Sequence, residues 1–230
     1  MKRLIPLPRW PGHAQLAVGL ALACAACGRV GYDPGDGPIA VPGASSFSDD
    51  FASGSFAPNW FPVDESCVHE AGGELVAQPA PNTVDSYCFA WTTSSYRLAS
   101  DSVAVKVPEV TTQATIGVQT FIYLETADGS QELVLLLEGG GFQLYGTGPT
   151  LVVTGGYDPQ EDLWWRLREA GGDLFFETSP DGTTFVLRGQ WPDPIVLDDV
   201  RVGLGAGAWQ ALASPGQARF DCYNLPAPCP

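Results

Sequence analysis

From residue 47 to the end of the chain, short apolar runs alternate with clusters of Gly, Pro, Asp and Asn. The clusters recur about every 8 to 12 residues, which is the spacing of β-sandwiches and barrels. In residues 102–107, every second position is Val, and residues 115–125 alternate in the same way. Because side chains in a strand point to opposite faces in turn, both segments are predicted to be half-buried strands.

Residues 131–138 are almost uniformly apolar and are followed by three glycines, which favours a buried central strand over a helix. Residues 162–189 contain three strand-like runs separated by Gly171-Gly172 and by Asp181-Gly182. Asp-Gly between such runs is a strong hairpin signal, since Gly accepts the positive φ that the turn requires. We predict about twelve strands and no helix. No segment repeats at a fixed period, which argues against a propeller or a solenoid.

An antiparallel chain of this kind buries its apolar faces in a two-sheet sandwich or in a closed barrel. Residues 48–51 (SDDF) followed by Trp60 resemble the opening of concanavalin A-like lectin/glucanase domains. Residues 164–168 (WWRLR) and 179–185 (SPDGTTF), together with 217–221 (QARFD), are similar to later strands of that family, including bacterial DUF1349-like domains. The resemblance implies an all-β, antiparallel two-sheet jelly-roll sandwich.

The amino terminus has the pattern of an export signal. Lys2, Arg3 and Arg9 precede an uncharged apolar run at residues 16–26, which is about half the length needed to span a bilayer. Ala25 and Ala26 stand before Cys27, and this arrangement resembles the lipobox in which such a cysteine becomes lipid-linked. Cys24 is a weaker lipidation candidate, and an ordinary secreted protein cleaved after an Ala-x-Ala-like site is the alternative.

The predicted domain organisation is a signal peptide at residues 1–26, a Gly/Pro-rich tether at 27–46 and a sandwich at 47–230. The expected location is the bacterial outer membrane, with the lipid bilayer as a partner through the anchor and the domain facing the periplasm or the outside. Without the signal peptide the chain keeps 8 basic and 26 acidic residues, a net charge of −18. So negative a surface repels phosphate, which excludes nucleic acid as a partner.

Four cysteines remain in the body of the chain, and an exported protein meets an oxidising compartment. Nearness in sequence favours Cys67 with Cys88 and Cys222 with Cys229, and crossed pairing is the alternative. The cysteines lack the C-x₂-C spacing of a zinc site. We expect no metal and no cofactor; the alternative is a calcium ion bound by Asp50 and Asp221 where the first and last strands meet.

The sequence offers no familiar catalytic motif. Glucanases of this superfamily carry E-x-D-x-(x)-E on one strand, and this chain lacks that motif. Asp64-Glu65 and Glu161-Asp162 are interpreted as solvated loop charges, and His69 is the only histidine left after the signal peptide. We therefore expect no catalytic residue and no enzymatic activity.

A binding face is predicted from strand alternation, because sugars stack on aromatic rings and need fixed polar partners. The positions opposite the aliphatic faces define the candidate ligand-binding residues: Gln119, Tyr123, Gln143, Tyr145, Trp164 and Arg166. Arg168 continues the last of these lines. The alternative is that Trp164 and the tyrosines cover a sheet or a loop.

The resulting hypothesis is a lipoprotein with a non-catalytic recognition domain that binds carbohydrate. An envelope structural or protein-interaction module is the first alternative. An atypical glycoside hydrolase is the second.

Overall fold

The computed structural model describes residues 40–112, 115–146, 151–192 and 195–229. The predicted signal peptide and the lipidation candidate Cys27 lie outside these residues. Within them the regular structure is a three-residue 3₁₀ helix, Ala44–Ser46, and fourteen β-strands, against about twelve expected. The strands are β1 (Trp60–Pro62), β2 (Val68–Glu70), β3 (Leu75–Ala77), β4 (Ser86–Thr92), β5 (Ser102–Glu109), β6 (Val118–Thr126), β7 (Glu132–Glu138), β8 (Gly141–Gly146), β9 (Leu151–Gly156), β10 (Trp164–Ala170), β11 (Asp173–Ser179), β12 (Val186–Pro192), β13 (Val200–Ala208) and β14 (Ala218–Asp221).

The strands form two seven-stranded antiparallel sheets, which confirms the predicted jelly-roll sandwich. The first sheet has the order β1-β4-β13-β6-β7-β8-β9, and the second has the order β12-β11-β10-β5-β14-β3-β2. Sequence neighbours such as β4 and β5 lie in different sheets, so the chain repeatedly crosses between the two layers. No helix long and apolar enough to cross a membrane occurs among the described residues.

Alternation explains how the two sheets share one core. The valines of β5 predicted to share a face, Val103, Val105 and Val107, are all buried, as are Ile122 and Leu124 of β6. The alternation in residues 115–125 places Ile116 on the same face as Ile122 and Leu124, but Ile116 is 65% exposed. The reason is that β6 begins only at Val118, after Gly117 turns the backbone with a positive φ.

Residues 41–46, which the sequence analysis counted with the tether, pack on the sandwich. Ala44 is fully buried, and its backbone N–H donates to the carbonyl of Arg97 at 2.9 Å. Asn224, near the carboxyl end, donates from its side-chain amide to the carbonyls of Ala44 and Phe47. The structure therefore continues the sandwich back to residue 41.

The structure contains the two disulfides that sequence proximity favoured. Cys67 bonds to Cys88 with the Cα atoms 5.6 Å apart, and Cys222 bonds to Cys229 with the Cα atoms 6.1 Å apart. Cys67 immediately precedes β2 of the second sheet, whereas Cys88 lies within β4 of the first. The first bond therefore links the two layers, and the second fastens the carboxyl-terminal segment beyond β14.

Candidate functional site

The outer face of the first sheet carries a row of aromatic residues that crosses the strands. The strand registers place these residues side by side: Phe61 (β1), Trp91 (β4), Gly203 (β13), Tyr123 (β6), Val134 (β7) and Tyr145 (β8). Phe61 is 60% exposed at the sheet edge. The rings of Trp91 and Tyr123 meet edge to face, with centroids 4.8 Å apart. This row crosses the sheet at right angles to its strands.

Glycines on β13 make room for the rings of β4. The outward positions of the strand centre are Gly203, Gly205 and Gly207, which face Trp91, Phe89 and Tyr87 in register. A Cβ atom added to Gly203 would lie 3.0 Å from the Trp91 indole, and one added to Gly205 would lie 2.8 Å from the Phe89 Cα atom. The rings of β4 therefore lie against the bare backbone of β13, which only glycine permits.

Two glutamates face each other at one end of this surface. Glu125 on β6 and Glu132 on β7 are register partners on the outer face, so their Cβ atoms are about 5 Å apart. Arg201 on β13 is the register partner of Glu125 on the other side and forms an ion pair with it. The Tyr123 hydroxyl donates a hydrogen bond to Glu132. Glu125 is thus held by Arg201 of β13, and Glu132 is held by Tyr123 of β6.

The Tyr123 hydroxyl keeps its proton throughout the ordinary pH range. Burial raises the pKa of Tyr123 far above its usual value, and the hydrogen bond and negative charge of Glu132 raise it further. Tyr123 therefore acts as a hydrogen-bond donor to Glu132 and does not become a competing anion. Arg201 also lies over the Trp91 ring, at 5.6 Å from its centroid, which connects the carboxylate pair to the aromatic row.

A third glutamate lies at the other end of the same face. Glu138, the last residue of β7, accepts hydrogen bonds from the backbone N–H of Gly117 at 2.7 Å, from the Trp209 indole at 2.7 Å and from the Gln119 amide at 3.3 Å. Glu138 lies six positions along β7 from Glu132, a distance of about 20 Å. Glu138 is therefore too remote to act together with the carboxylate pair on one bond.

The outward positions of β7 do not carry the E-x-D-x-(x)-E motif of glucanases. They are Glu132, Val134, Leu136 and Glu138. The central two are aliphatic, so one strand does not supply three successive carboxylates. The absence of E-x-D-x-(x)-E noted from the sequence thus holds on this strand, and paired carboxylates arise instead across two strands.

The predicted ligand-binding residues divide between the two sheets. Gln119 and Tyr123 on β6, and Gln143 and Tyr145 on β8, share the outer face of the first sheet, where the Tyr145 hydroxyl donates to Gln143. Trp164 and Arg166 lie on β10 of the second sheet. Alternation assigns a residue to a face but not to a sheet, so the six residues do not form a single surface.

Trp164 is covered and not available as a platform. It is 4% exposed, and a Cβ atom added to Gly182 would lie 2.6 Å from its indole ring, so the 180–184 turn rests directly on it. Trp164 therefore packs between its sheet and a loop, as the alternative prediction has it. A Trp164→Ala change would therefore probe packing and not ligand binding.

Arg166 is likewise engaged within the second sheet. Arg166 and Arg168 both donate to Glu177, at 2.7 and 2.9 Å, and the Arg166 guanidinium lies 3.7 Å from the centroid of the Phe185 ring. Burial alone would raise the pKa of Glu177, but the hydrogen bonds and charges of the two arginines outweigh it and hold this pKa below its usual value. These arginines stabilise the outer face of the second sheet.

Five residues of this site are not among those predicted from the sequence: Glu125, Glu132, Arg201, Phe61 and Trp91. Alternation places Glu125 on the same face as Tyr123, but its partner Glu132 follows only after the turn at residues 127–131. The Asp128-Gly129 dipeptide in that turn is the signal that could have aligned β6 with β7 as a hairpin.

The described residues include one group of candidate metal ligands, and its members have other partners. Asp221, Cys222 and Cys229 lie close together, but the two cysteines bond to each other. The Asp221 carboxylate accepts a hydrogen bond from Lys106 Nζ at 3.0 Å, and Asp50 accepts one from the backbone N–H of Ala52. The Lys106 ammonium thus lies beside Asp221, where the alternative prediction has a calcium ion.

Comparison with known proteins gives matches through the fold alone. No family model and no curated protein matches this chain. A β-1,3-1,4-glucanase (lichenase) derived from a mouse hindgut metagenome is 13% identical, with a TM-score of 0.56 over 77% of this chain and 96% of the other. SCLam, a non-specific endo-β-1,3(4)-glucanase from family GH16, is 12% identical, with a TM-score of 0.59 over 81% and 92%. A laminarinase from Flavobacterium sp. UMI-01 is 10% identical, with a TM-score of 0.56 over 77% and 97%.

These similarities support the antiparallel two-sheet jelly-roll fold of the chain. The expectation of a non-catalytic recognition domain without enzymatic activity is wrong by this comparison, because the three structures just described are named as a lichenase, an endo-glucanase and a laminarinase.

Proposed function

We propose that this protein is a glycoside hydrolase that cleaves a polysaccharide on the outer face of the first sheet. The observation that carries the proposal is the facing pair Glu125 and Glu132, which lies next to a row of aromatic rings. Glycoside hydrolysis needs two carboxyl groups on either side of the bond, about 5–5.5 Å apart for retention and 6.5–9.5 Å apart for inversion. Register partners with Cβ atoms about 5 Å apart are placed within that reach.

The different partners of the two glutamates suggest different roles. Glu125 is ion-paired with Arg201 and is assigned the role of the carboxylate that meets the anomeric carbon or activates its water. Glu132 accepts a hydrogen bond from the Tyr123 hydroxyl, has no ion-pair partner among the described residues, and is assigned the proton transfer to the leaving oxygen. Tyr123 is a positioning residue in this scheme, since it acts through Glu132.

The aromatic row supplies the sugar-binding part of the proposal. Aromatic rings pack against the apolar faces of pyranose rings, and Phe61 is exposed on the edge strand beside Trp91. A polysaccharide lying along this row would cross the strands and pass the Glu125–Glu132 pair. The neighbouring structures are named as lichenase, endo-β-1,3(4)-glucanase and laminarinase, so mixed-linkage β-glucan is the first substrate to test.

The decisive measurement is the release of reducing ends. The full chain is incubated with β-1,3-1,4-glucan and with β-1,3-glucan, and new reducing ends are followed over time. We expect release from at least one polymer, with shorter oligosaccharides as products. Failure to cleave either glucan or any other polysaccharide in a broad panel would contradict the proposal.

We also propose that the protein is exported and anchored in the bacterial outer membrane through lipid on Cys27. The small residues before Cys27 and the basic and apolar segments before them support this, and the two disulfides suit an oxidising compartment. The closer relation to DUF1349-like domains is likewise a proposal, supported by the motifs at residues 164–168 and 179–185.

Replacement of the lipid-bearing residue tests the anchor. In a Gram-negative host, Cys27→Ser is expected to move the protein from the membrane pellet to the soluble fraction, because several acyl chains hold a protein on a membrane far more strongly than any weak surface contact. Cys24→Ser is the matched control and should leave the protein in the pellet. Persistent membrane association of Cys27→Ser, or release by Cys24→Ser, would contradict lipidation at Cys27.

A further inference from the structure

The proposed cleavage face has an excess of negative charge that its own cations do not offset. Among the described outward positions of the first sheet, the carboxylates are Glu125, Glu132 and Glu138, and the one cation opposing them is Arg201. That guanidinium is already ion-paired with Glu125. In the described part of the chain, this face therefore presents no uncommitted cation to an acidic sugar.

Several of the remaining basic side chains lie on the other side of the sandwich. Lys106, Arg166, Arg168 and Arg219 belong to β5, β10 and β14 of the second sheet, and each is ion-paired with a carboxylate there. An arginine that receives a carboxylate or sulfate group uses two parallel N–H donors. Among the residues that the structure describes, the proposed cleavage face has no guanidinium outside the Arg201–Glu125 ion pair to bind such a group.

A polysaccharide with an acid group on each sugar would bring repeated negative charges to this surface. Two like charges about 5 Å apart repel each other by roughly 0.8 kcal/mol even at the dielectric constant of water. Since the screening length is about 8–10 Å at ordinary ionic strength, the carboxylates at both ends of the face act on nearby sugar residues. The net charge of −18 without the signal peptide adds to this repulsion.

The aromatic part of the face favours the opposite kind of ligand. Phe61 and Trp91 offer ring surfaces in one row, since Phe61 is 60% exposed and Trp91 is half-buried, and such surfaces gain most by covering the apolar face of an uncharged pyranose. We infer that the site selects an uncharged polysaccharide and rejects acidic polysaccharides by electrostatic repulsion. This inference rests on the proposed function and specifies its substrate class.

The test compares one polymer with its own acidic derivative. The full chain is given β-1,3-1,4-glucan or the same glucan after carboxymethylation, each at low and at high ionic strength, and reducing ends are measured. At low ionic strength we expect the acidic polymer to be cleaved about tenfold more slowly or worse. At high ionic strength the difference should shrink severalfold, because salt screens the repulsion. Equal rates at low salt, or a difference that salt does not change, would overturn the inference.

Variants separate the charge effect from a general disturbance. Glu138→Gln removes one charge from the face and should narrow the difference between the two polymers. Asp173→Asn removes one charge from β11 of the second sheet and should leave the rate difference between the two polymers unchanged. If both variants narrow it equally, the effect belongs to the total charge of the protein and the assignment to this face is wrong.

Binding to Glu132→Gln decides the inference independently of turnover. Calorimetry should detect the parent glucan and show weaker binding of the carboxymethylated glucan at low salt. The unaltered chain could cleave neither polymer while the parent glucan still binds more tightly than the carboxymethylated glucan. In that case the proposed hydrolysis is wrong and the selection of uncharged sugar is upheld. Glu132→Gln keeps Glu125 and Glu138, so the preference should be reduced in this variant but still measurable. Equal binding of the two polymers, by this variant and by the unaltered chain, overturns the selection whatever the enzyme does.

Discussion

Glu132→Gln is expected to lower the rate of glucan hydrolysis by a factor of about 10² to 10⁴, the usual contribution of a general acid. The amide keeps the size of the side chain and its contact with Tyr123, but it cannot deliver a proton to the leaving oxygen. Reducing-end release measures the loss, and the far-ultraviolet circular dichroism spectrum should remain that of a β protein.

The matched control for this change is Glu109→Gln. Glu109 ends β5 of the second sheet, with its side chain 47% exposed beside Arg219, and we expect its replacement to leave hydrolysis within twofold, about what a weak surface ion pair implies. Full activity in Glu132→Gln would contradict the assigned role. For Glu125, rescue of Glu125→Ala by azide with formation of a glycosyl azide would identify it as the nucleophile.

Gly205→Ala is expected to cost about 3 kcal/mol of unfolding free energy, at the upper end for overpacking. The added methyl group would overlap the carbonyl oxygen of Cys88 and the Cβ atom of Phe89, and it would lie 2.8 Å from the Phe89 Cα atom. Because two of these atoms belong to the backbone of β4, the clash cannot be relieved by rotating a side chain. The midpoint of denaturant unfolding measures the effect.

Gly141→Ala provides the comparison in the same sheet. The nearest atom to its added methyl group is the Glu138 carbonyl oxygen at 4.0 Å, so the substitution should be neutral or slightly stabilising. If the two substitutions changed stability equally, close approach of β4 and β13 would not be what requires glycine at position 205.

The alternation of residues predicted half-buried strands, the resemblance to concanavalin A-like domains implied the sandwich, and neither predicted the site. A period of two indicates which side chains share a face, and it correctly placed the valines of β5 in the core. It does not indicate which sheet a strand joins, because that depends on pairing between distant segments. Trp164 and Gln119 are therefore predicted to share one surface, although they lie on different sheets.

The carboxylate pair depends on register in the same way. Glu125 and Glu132 lie on either side of a turn, and only the alignment of β6 with β7 brings them opposite each other. The covered state of Trp164 depends on a turn that follows β11 and rests on β10. Both features depend on contacts between different strands and turns, and the residue pattern within one strand does not predict such contacts.

The bond between Cys67 and Cys88 has a consequence for where the protein becomes active. It ties the layer that carries the aromatic row to the layer behind it, and closing a loop of this size contributes about 3 kcal/mol to stability. In the reducing cytosol that tie would be missing, so freshly made chains would hold their two layers together less firmly. Under the export and hydrolysis proposed above, maturation would be coupled to translocation, and the activity would be confined to the compartment where thiols are oxidised.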